Sequence, residues 1–530
     1  LSAPAVTVEN GRARVAFERF DLDAYRLFLR CKTLPESELG CDRVAGTYTI
    51  ETAERFAAIL DASLQQSPAA DLPLPAHLFD YQRFIVERAL EARRYAVWAD
   101  TGLGKTAILL EWARQVRAAT GGRVLILSPL SIIDQTAEQC EQFYGGAFRL
   151  KQLFTREELA RWCLAPGSDD VGICNYEKLI PGVLPELKRL AGLVLDESSI
   201  LKTGGGVIKW NLIKSAKGIE HKLSCTATPA PNDTMEFASQ AAFLEKLRNE
   251  SEILWTYFSR DKKGIWSVKP HARDRFYEFM SSWSIYLRDP ARLGFEDILS
   301  SLPEPRHSEY RLTITPEQRA RMDEVLVDRG AGLFSAGLGV RERAKLAQLA
   351  RGFLYEGSGK ARSVARVASD KPAFVASLAR AESARSPVIV WTTFDEEARI
   401  IGERLCELDS SIDAAILDGS VPAARRRSIL SSFRSGELRV LITKAQLAGY
   451  GMNFQHCRSM IFSGFDDSYE RMYQAVRRCY RYGQTARVHV HVPYVPELEG
   501  MIFENLSSKE ARFDEDAAAM EEAYREALLA

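Results

Sequence analysis

The stretch ADTGLGKT, Ala99–Thr106, decides how this chain is read. It follows the apolar run YAVWAD and opens the amphipathic run TAILLEWARQVRAA. That is the A-x-x-x-x-G-K-T form of a phosphate-binding loop set between a strand and a helix. Gly102 and Gly104 let backbone N–H groups turn inward around a phosphate chain, and the helix N-terminus adds positive partial charge. Lys105 has the reach for β- and γ-phosphates, and the Thr106 hydroxyl is a ligand for Mg²⁺.

Working outward, LVLDES places Asp196 and Glu197 at the end of an apolar strand. In a phosphate-loop NTPase a strand-end acid holds Mg²⁺ through water. A carboxylate beside it can orient or deprotonate the attacking water. An isolated DE pair says little, but with the loop it completes a nucleotide site. Upstream, LFDYQ puts Gln82 shortly before the loop's strand. Its amide both accepts and donates, which suits the edge of an adenine, and a surface Gln is the plain alternative.

The rhythm around these motifs sets the fold class. YAVWAD, RVLILSP, LAGLVLDES and HKLSCTATP are short continuous apolar runs separated by helical ones. Strands buried on both faces and alternating with helices imply an α/β fold with a doubly wound parallel sheet. The alternation lapses near Phe237 into charged helical pieces such as PEQRARMDEVLV. It resumes at SPVIVWTTF and continues through LRVLITKA, SMIFSG and VHVHVPY. The expected domains are 1–75, a small α+β accessory unit; 76–236, a first sheet lobe; 237–385, helical insertions and linker; 386–500, a second sheet lobe; and 501–530, an acidic helix packed on a lobe with a solvated face.

Composition narrows the class. Lys plus Arg is 70 against 71 for Asp plus Glu, so no overall basic field exists and polyanion binding must come from local patches. Nine scattered cysteines without a CxxC pair exclude zinc knuckles and suit a reducing compartment. His489 and His491 in VHVHV share a strand face, but two histidines without a third ligand read as structural. The stretch LSAPAVTVENGR lacks the apolar core of a secretory leader, and no apolar run has the length of a membrane span. The cytoplasm of a bacterial or phage-infected cell is the expected compartment.

With these motifs in order, a family comes into view. LFDYQ, DTGLGKT, LILSPLSII, DESS, TATPAPN, LDGS, TKAQLAGYGMN and QAVRRCYRYGQ resemble the motifs of superfamily 2 helicases, specifically the Swi/Snf-like ATPases. The ending R-x-x-R-x-G-Q belongs to that branch, and the wording is most similar to compact Swi/Snf-like proteins of phages and prophages. The resemblance covers roughly residues 78–493. It implies two RecA-like lobes with helical protrusions between them, ATP and Mg²⁺ in the cleft, and ATP-driven translocation on double-stranded or branched DNA. It assigns Lys105, Glu197, Gln474, Arg478 and Arg481 to catalysis. Gln82, Gly102, Gly104, Thr106, Asp196 and Gly451 fall to nucleotide binding, with Thr106 and Asp196 at the metal. Ser128, Pro129 and Thr443 match positions that approach the DNA backbone.

One departure stands out. Where the wider family has a His after its acidic pair, this chain has Ser199, which can still hydrogen-bond Thr226 or Thr228 but carries no charge. Residues 1–75 resemble HARP-like substrate-recognition modules, with a plain accessory domain as the other reading. In QAVRRCYRYGQ, helical spacing of about 100° per residue groups Gln474, Arg478 and Arg481 on one stripe and Arg477, Arg481 and Gln484 on another. The resemblance favours the first. Two other functions stay open at this point: a strand-separating helicase on DNA or RNA–DNA hybrids, and a non-catalytic DNA-binding scaffold.

Overall fold

The structure is a computed structural model. It describes residues 6–17, 38–42, 47–54, 57, 72–165, 171–202, 206–230, 236–247, 250–260, 266–296, 303–327, 339–357, 363–445, 454–465, 468–481 and 484–529. The chain divides into two compact units, Leu1–Asp297 with Glu515–Ala530, and Ile298–Asp514.

The first unit begins with four antiparallel strands, β1 (Val6–Glu9), β2 (Arg12–Phe17), β3 (Glu38–Asp42) and β4 (Thr47–Ala53), in the order β1-β2-β4-β3. Ala13 and Val15 alternate inward along β2 while Arg12 and Arg14 face out to Glu38 and Glu51, the period-2 pattern of a half-buried sheet. The side chain of Tyr48, the aromatic in GTYTI, lies outside the described residues.

The main sheet comprises β5 (Arg94–Ala99), β6 (Val124–Ser128), β7 (Leu150–Gln152), β8 (Val171–Asn175), β9 (Gly192–Asp196) and β10 (His221–Cys225). A hairpin of β11 (Phe258–Arg260) and β12 (Trp266–Val268) follows, and then β13 (Ser284–Leu287) returns to the sheet. The order is β13-β5-β10-β9-β6-β8-β7, and every pairing is parallel. β6, β8, β9 and β10 are buried at every position, as strands covered on both faces must be. The helix Lys105–Thr120 buries residues around most of its circumference and stops at Gly121, whose φ of 63° puts the C-cap in the left-handed region.

The sheet does not end near Phe237. β13 pairs along β5, with Ala96 donating to Trp283 O and Asp100 to Leu287 O. Four residues between helices leave no periodic signal, so this strand was hidden in the stretch read as helical. The C-terminal helix Pro496–Leu529 packs one face into the core and leaves the other exposed. Ala517 and Met520 join the first unit's core, the Tyr524 hydroxyl lies 3.0 Å from that of Tyr95, and Asp516 accepts from Tyr277.

The second unit holds β14 (Arg306–Arg311), a hairpin of β15 (Phe353–Glu356) and β16 (Ser363–Arg366), and then β17 (Val388–Thr392), β18 (Ala414–Leu417), β19 (Val440–Lys444), β20 (Ser459–Phe462) and β21 (His489–Tyr494). Its sheet runs β14-β21-β20-β17-β19-β18, again all parallel. Residues 303–385 are therefore not only a linker, because β14 completes this sheet. A buried quartet ties its helices together. Arg351 Nε sits 3.2 Å from Glu397 Oε1, Arg351 Nη2 3.6 Å from Glu499 Oε1, and Lys371 Nζ 2.6 Å from Glu499 Oε2. Two cations and two carboxylates balance, which is the condition for keeping such charges out of water. A Cβ on Gly464 would lie 2.2 Å from the Arg351 guanidinium, so the glycine makes the space.

Replacing Tyr524 by Ala removes a buried ring and leaves Tyr95 OH without that partner. The expected cost is about 3 kcal/mol in the first unit. Seven of the eight tryptophans lie in that unit and only Trp391 in the other, so tryptophan fluorescence melts should show an early transition. An unchanged melt would mean that the tail contributes nothing to the core.

Candidate nucleotide site

The site grows from the ends of three adjacent strands. Val97 of β5 is level with Cys225 of β10, and Cys225 with Asp196 of β9. The phosphate loop, Thr226 and the acidic pair therefore leave the sheet side by side at its C-terminal edge, where ligands bind in open parallel sheets.

Gly102 and Gly104 have φ of 95° and 73°, conformations open to glycine. Gly104 is also the N-cap of the helix Lys105–Thr120, and a Cβ there would meet Gln82 Nε2 at 2.2 Å. The loop is thus supported from below by Gln82. That side chain is buried, with Oε1 accepting from Phe79 N at 3.0 Å and Nε2 donating to Leu103 O at 3.1 Å and Tyr81 OH at 3.2 Å. Lys105 Nζ turns back on its own loop, donating to Ala99 O at 2.9 Å and Asp100 O at 3.3 Å.

Across from it, Asp196 is buried. Ser128 Oγ donates to its Oδ2 at 3.0 Å, and Tyr176 OH donates to its backbone carbonyl at 2.6 Å. Burial first, and then the neighbouring Glu197 charge, push the Asp196 carboxyl from 3.8 to about 7, against the pull of Ser128 and Lys105. Glu197 adopts φ of 55°, rare for a residue with a Cβ, and its Oε2 is buried with no hydrogen-bond partner among the described residues. Strain plus an orphaned carboxylate oxygen is the mark of a functional position rather than a stabilising one. A buried, raised Asp196 beside the orphaned Glu197, facing a lysine and a glycine-built cradle, fits a nucleotide with Mg²⁺. Lys105 and the loop amides would hold the phosphates, and Thr106 and Asp196 the metal. When bound, the ion neutralises the phosphate charge.

The link from the acidic pair to TATP takes an unexpected route. Ser199 is buried, but the hydrogen-bonded bridge passes through its neighbour. Ser198 Oγ, Ser224 Oγ and Trp98 Nε1 converge on Gln240 Oε1 at 3.2, 2.7 and 3.1 Å, and Gln240 Nε2 donates to Pro229 O at 3.3 Å. Thr226 Oγ1 meanwhile accepts from Thr228 N at 3.2 Å. Gln240 lies past the lapse in the alternation, inside FASQAAF, where the sequence carries no motif.

In the second unit, the helix Tyr469–Cys479 ends with Tyr480 as its C-cap. Arg481 and Gln484 are therefore off the helix, and the stripe geometry extended to them does not apply. Arg481 stands desolvated, its guanidinium pulled below the usual value by burial alone. Arg478 and Gln474 are buried in the helix. Arg477 lies over Tyr473 and Tyr480 at 5.2 and 4.9 Å and donates to Tyr473 OH at 3.2 Å. Gln484 is a staple, its Nε2 donating to Gln455 O at 2.7 Å and its Oε1 accepting from Ala486 N at 3.1 Å. Gly451 lies outside the described residues. Of the positions expected near DNA, Ser128 is enclosed with its hydroxyl on Asp196, and Thr443 is enclosed with its hydroxyl on Leu417 O at 2.9 Å, whereas Pro129 is half-buried. Their burial makes those two hydroxyls internal supports.

Comparison with known proteins agrees with this arrangement. Residues 79–237 match the family model for DEAD/DEAH box helicases, and residues 370–483 that for the helicase conserved C-terminal domain. The chain belongs to the superfamily 2 helicase-type ATPases, and its motifs are Swi/Snf-like. It is similar to putative protein p41 of Acyrthosiphon pisum secondary endosymbiont phage 1, with 24% identity over 462 residues, 81% of this chain and 96% of that one. It is also similar to the Sulfolobus solfataricus SWI2/SNF2 ATPase core solved in complex with dsDNA, with 19% identity, TM-score 0.39, and coverage of 86% of this chain and 96% of that one. Among the described residues no helix is long and apolar enough to cross a membrane.

Two outcomes follow. A carboxyl raised by folding opposes the fold once ionised, so that penalty is absent below 3.8 and grows as pH rises to about 7. Asp196→Asn should abolish ATP turnover and yet raise the melting temperature of the nucleotide-free protein near neutral pH by several degrees. A lower melting temperature would mean that the charge is already compensated. Gln240→Ala should reduce stimulation of the ATPase by nucleic acid more than Ser199→Ala does. The reverse ranking would return the coupling role to Ser199.

Proposed function

We propose that this chain is a DNA-stimulated ATPase that uses hydrolysis to translocate on, or remodel, double-stranded or branched DNA in the cytoplasm of a bacterial or phage-infected cell. The observation that carries the hydrolytic part is the orphaned, strained Glu197 beside a buried Asp196, facing Lys105. A scaffold that had abandoned chemistry would have no reason to keep an uncompensated carboxylate there. The DNA part rests on the Swi/Snf-like wording of the motifs, above all R-x-x-R-x-G-Q.

In this reading the loop amides and Lys105 bind and orient the β- and γ-phosphates. Glu197 takes the proton of the attacking water through its free Oε2. Thr106 and Asp196 hold Mg²⁺, and Gln82 serves the adenine end while bracing the loop. Arg481 and Arg478 supply positive charge to the transferred phosphoryl group, a role worth about 10³–10⁵ in rate in other NTPases. Arg481 suits it because a desolvated guanidinium gains most from meeting an anion.

The test is ATP hydrolysis without nucleic acid and with single-stranded DNA, duplex, forked DNA and RNA, using Glu197→Gln as the inactive control. Duplex or forked DNA should stimulate most. Strand displacement without movement on duplex would favour a strand-separating helicase instead. Arg481→Ala and Arg478→Ala should each lower turnover by about 10³-fold or more with ATP binding retained. Arg477→Ala should have a mild effect, and a collapse there alone would overturn the assignment of the arginines.

A further inference from the structure

The second unit carries a cluster that ATP chemistry does not use. His489 and His491, two residues apart on β21, point to one face of the sheet. The helix Lys371–Ser383 delivers a third group, Glu382, to that face. Glu382 Oε2 lies 3.8 Å from His491 Nε2, and ligand atoms of Glu382, His489 and His491 all fall within 4.8 Å of one another.

Two independent features show that this face lacks its full set of partners. His491 is only 5% exposed, yet its Nε2 makes no hydrogen bond among the described residues. Ser459, level with His489 on β20, is buried too, and its Oγ has no partner among them either. The other ring nitrogen of His491 is fixed: Nδ1 lies 3.0 Å from Tyr310 OH, and the two rings stack at 5.9 Å. In the tautomer that donates Nδ1–H to the tyrosine oxygen, Nε2 presents a lone pair toward Glu382 and His489. A second group that hydrogen-bonds and orients a ligating imidazole is the usual support of a metal site. The other Glu382 oxygen, Oε1, lies 3.5 Å from Arg385 Nη1, which leaves Oε2 turned inward. Arg306, level with His489 on β14, is the opposing charge on this face.

We propose that Glu382, His489 and His491 bind a borderline divalent cation, zinc foremost, that pins β21 to the helix Lys371–Ser383. Two imidazole nitrogens and one carboxylate suit Zn²⁺, whereas Mg²⁺ and Ca²⁺ prefer all-oxygen sets. Ligand atoms on a tetrahedral zinc stand about 3.3 Å apart, so side-chain rotations of about 1 Å would close the site. The fourth position falls to a water within reach of Ser459. A bare histidine–glutamate pair would explain one imidazole but not the convergence of two. The site lies within the second unit and does not depend on the ATPase reading.

The full-length protein, stripped with a chelator and dialysed, is titrated with Zn²⁺ by calorimetry and assayed for metal content. Wild type should take up about one equivalent per chain and melt at a higher temperature with zinc. Glu382→Gln and His491→Gln should each weaken binding about tenfold or more and abolish the thermal shift. Substitution of the half-buried His489 by Gln gives a variant that spares the core, with circular dichroism and Mg·ATP turnover as folding controls. Cobalt in place of zinc should give tetrahedral visible absorption in wild type and lose it in all three variants. No zinc uptake by wild type, or equal zinc affinity in wild type and variants, would overturn the proposal, the second result placing the metal at cysteines or at Asp196.

Discussion

Everything chemical in the first unit depends on the parallel register of β5, β10 and β9. Val97, Cys225 and Asp196 stand level, so β10 and β9 end at one height and β5 runs two residues further, to Ala99, before its loop begins. Adjacent strands lie about 4.8 Å apart, so the phosphate-loop strand and the acid-bearing strand are separated by about 10 Å. That gap is the scale of a lysine side chain plus a phosphate and its metal. A slip of one residue in either pairing would turn Asp196 to the opposite face of the sheet. β13 on the far side of β5 places two strands rather than one beside the loop's strand, so the loop springs from the interior of the sheet.

The second unit's buried quartet and the first unit's nucleotide site handle buried charge in opposite ways. In the second unit, Arg351, Lys371, Glu397 and Glu499 compensate one another, and the carboxylates also accept from the backbone amides of Thr393 and Val495. Such a set fixes the arrangement of helices and has nothing to give to a ligand. In the first, Asp196 and Glu197 repel each other, Glu197 is strained, and Lys105 is held by carbonyls rather than by either acid. That is stability withheld from the apo fold and made available to an anionic ligand with its metal.

Legibility followed the same division. The loop, the acidic pair and the alternation of buried strands are local in sequence, so ADTGLGKT and LVLDES announced where they lie in the fold. Gln240 was invisible because its importance is that three donors from three segments meet on its carbonyl, and no local pattern encodes convergence. Ser128 matches a position that approaches the DNA backbone in the family it resembles, yet here its hydroxyl is enclosed against Asp196, a contact between two strands that the motif does not carry. The arginine stripes failed for a local reason: the helix stops at Cys479, and angular spacing has no meaning past a cap.

The sequence by itself determined the class of fold, the phosphate loop, the acidic pair and the family to which the chain belongs. Each is carried by contiguous residues whose spacing has one physical reading. Only the tertiary structure decided which groups share a strand face or a carbonyl: that β13 joins the first sheet, that the last helix buries Tyr524 against Tyr95, that Gln240 bridges the two motifs, and that Glu382 meets a histidine pair. Those meetings join residues tens to hundreds apart along the chain. They are fixed by sheet register and helix packing, which a one-dimensional pattern constrains only collectively.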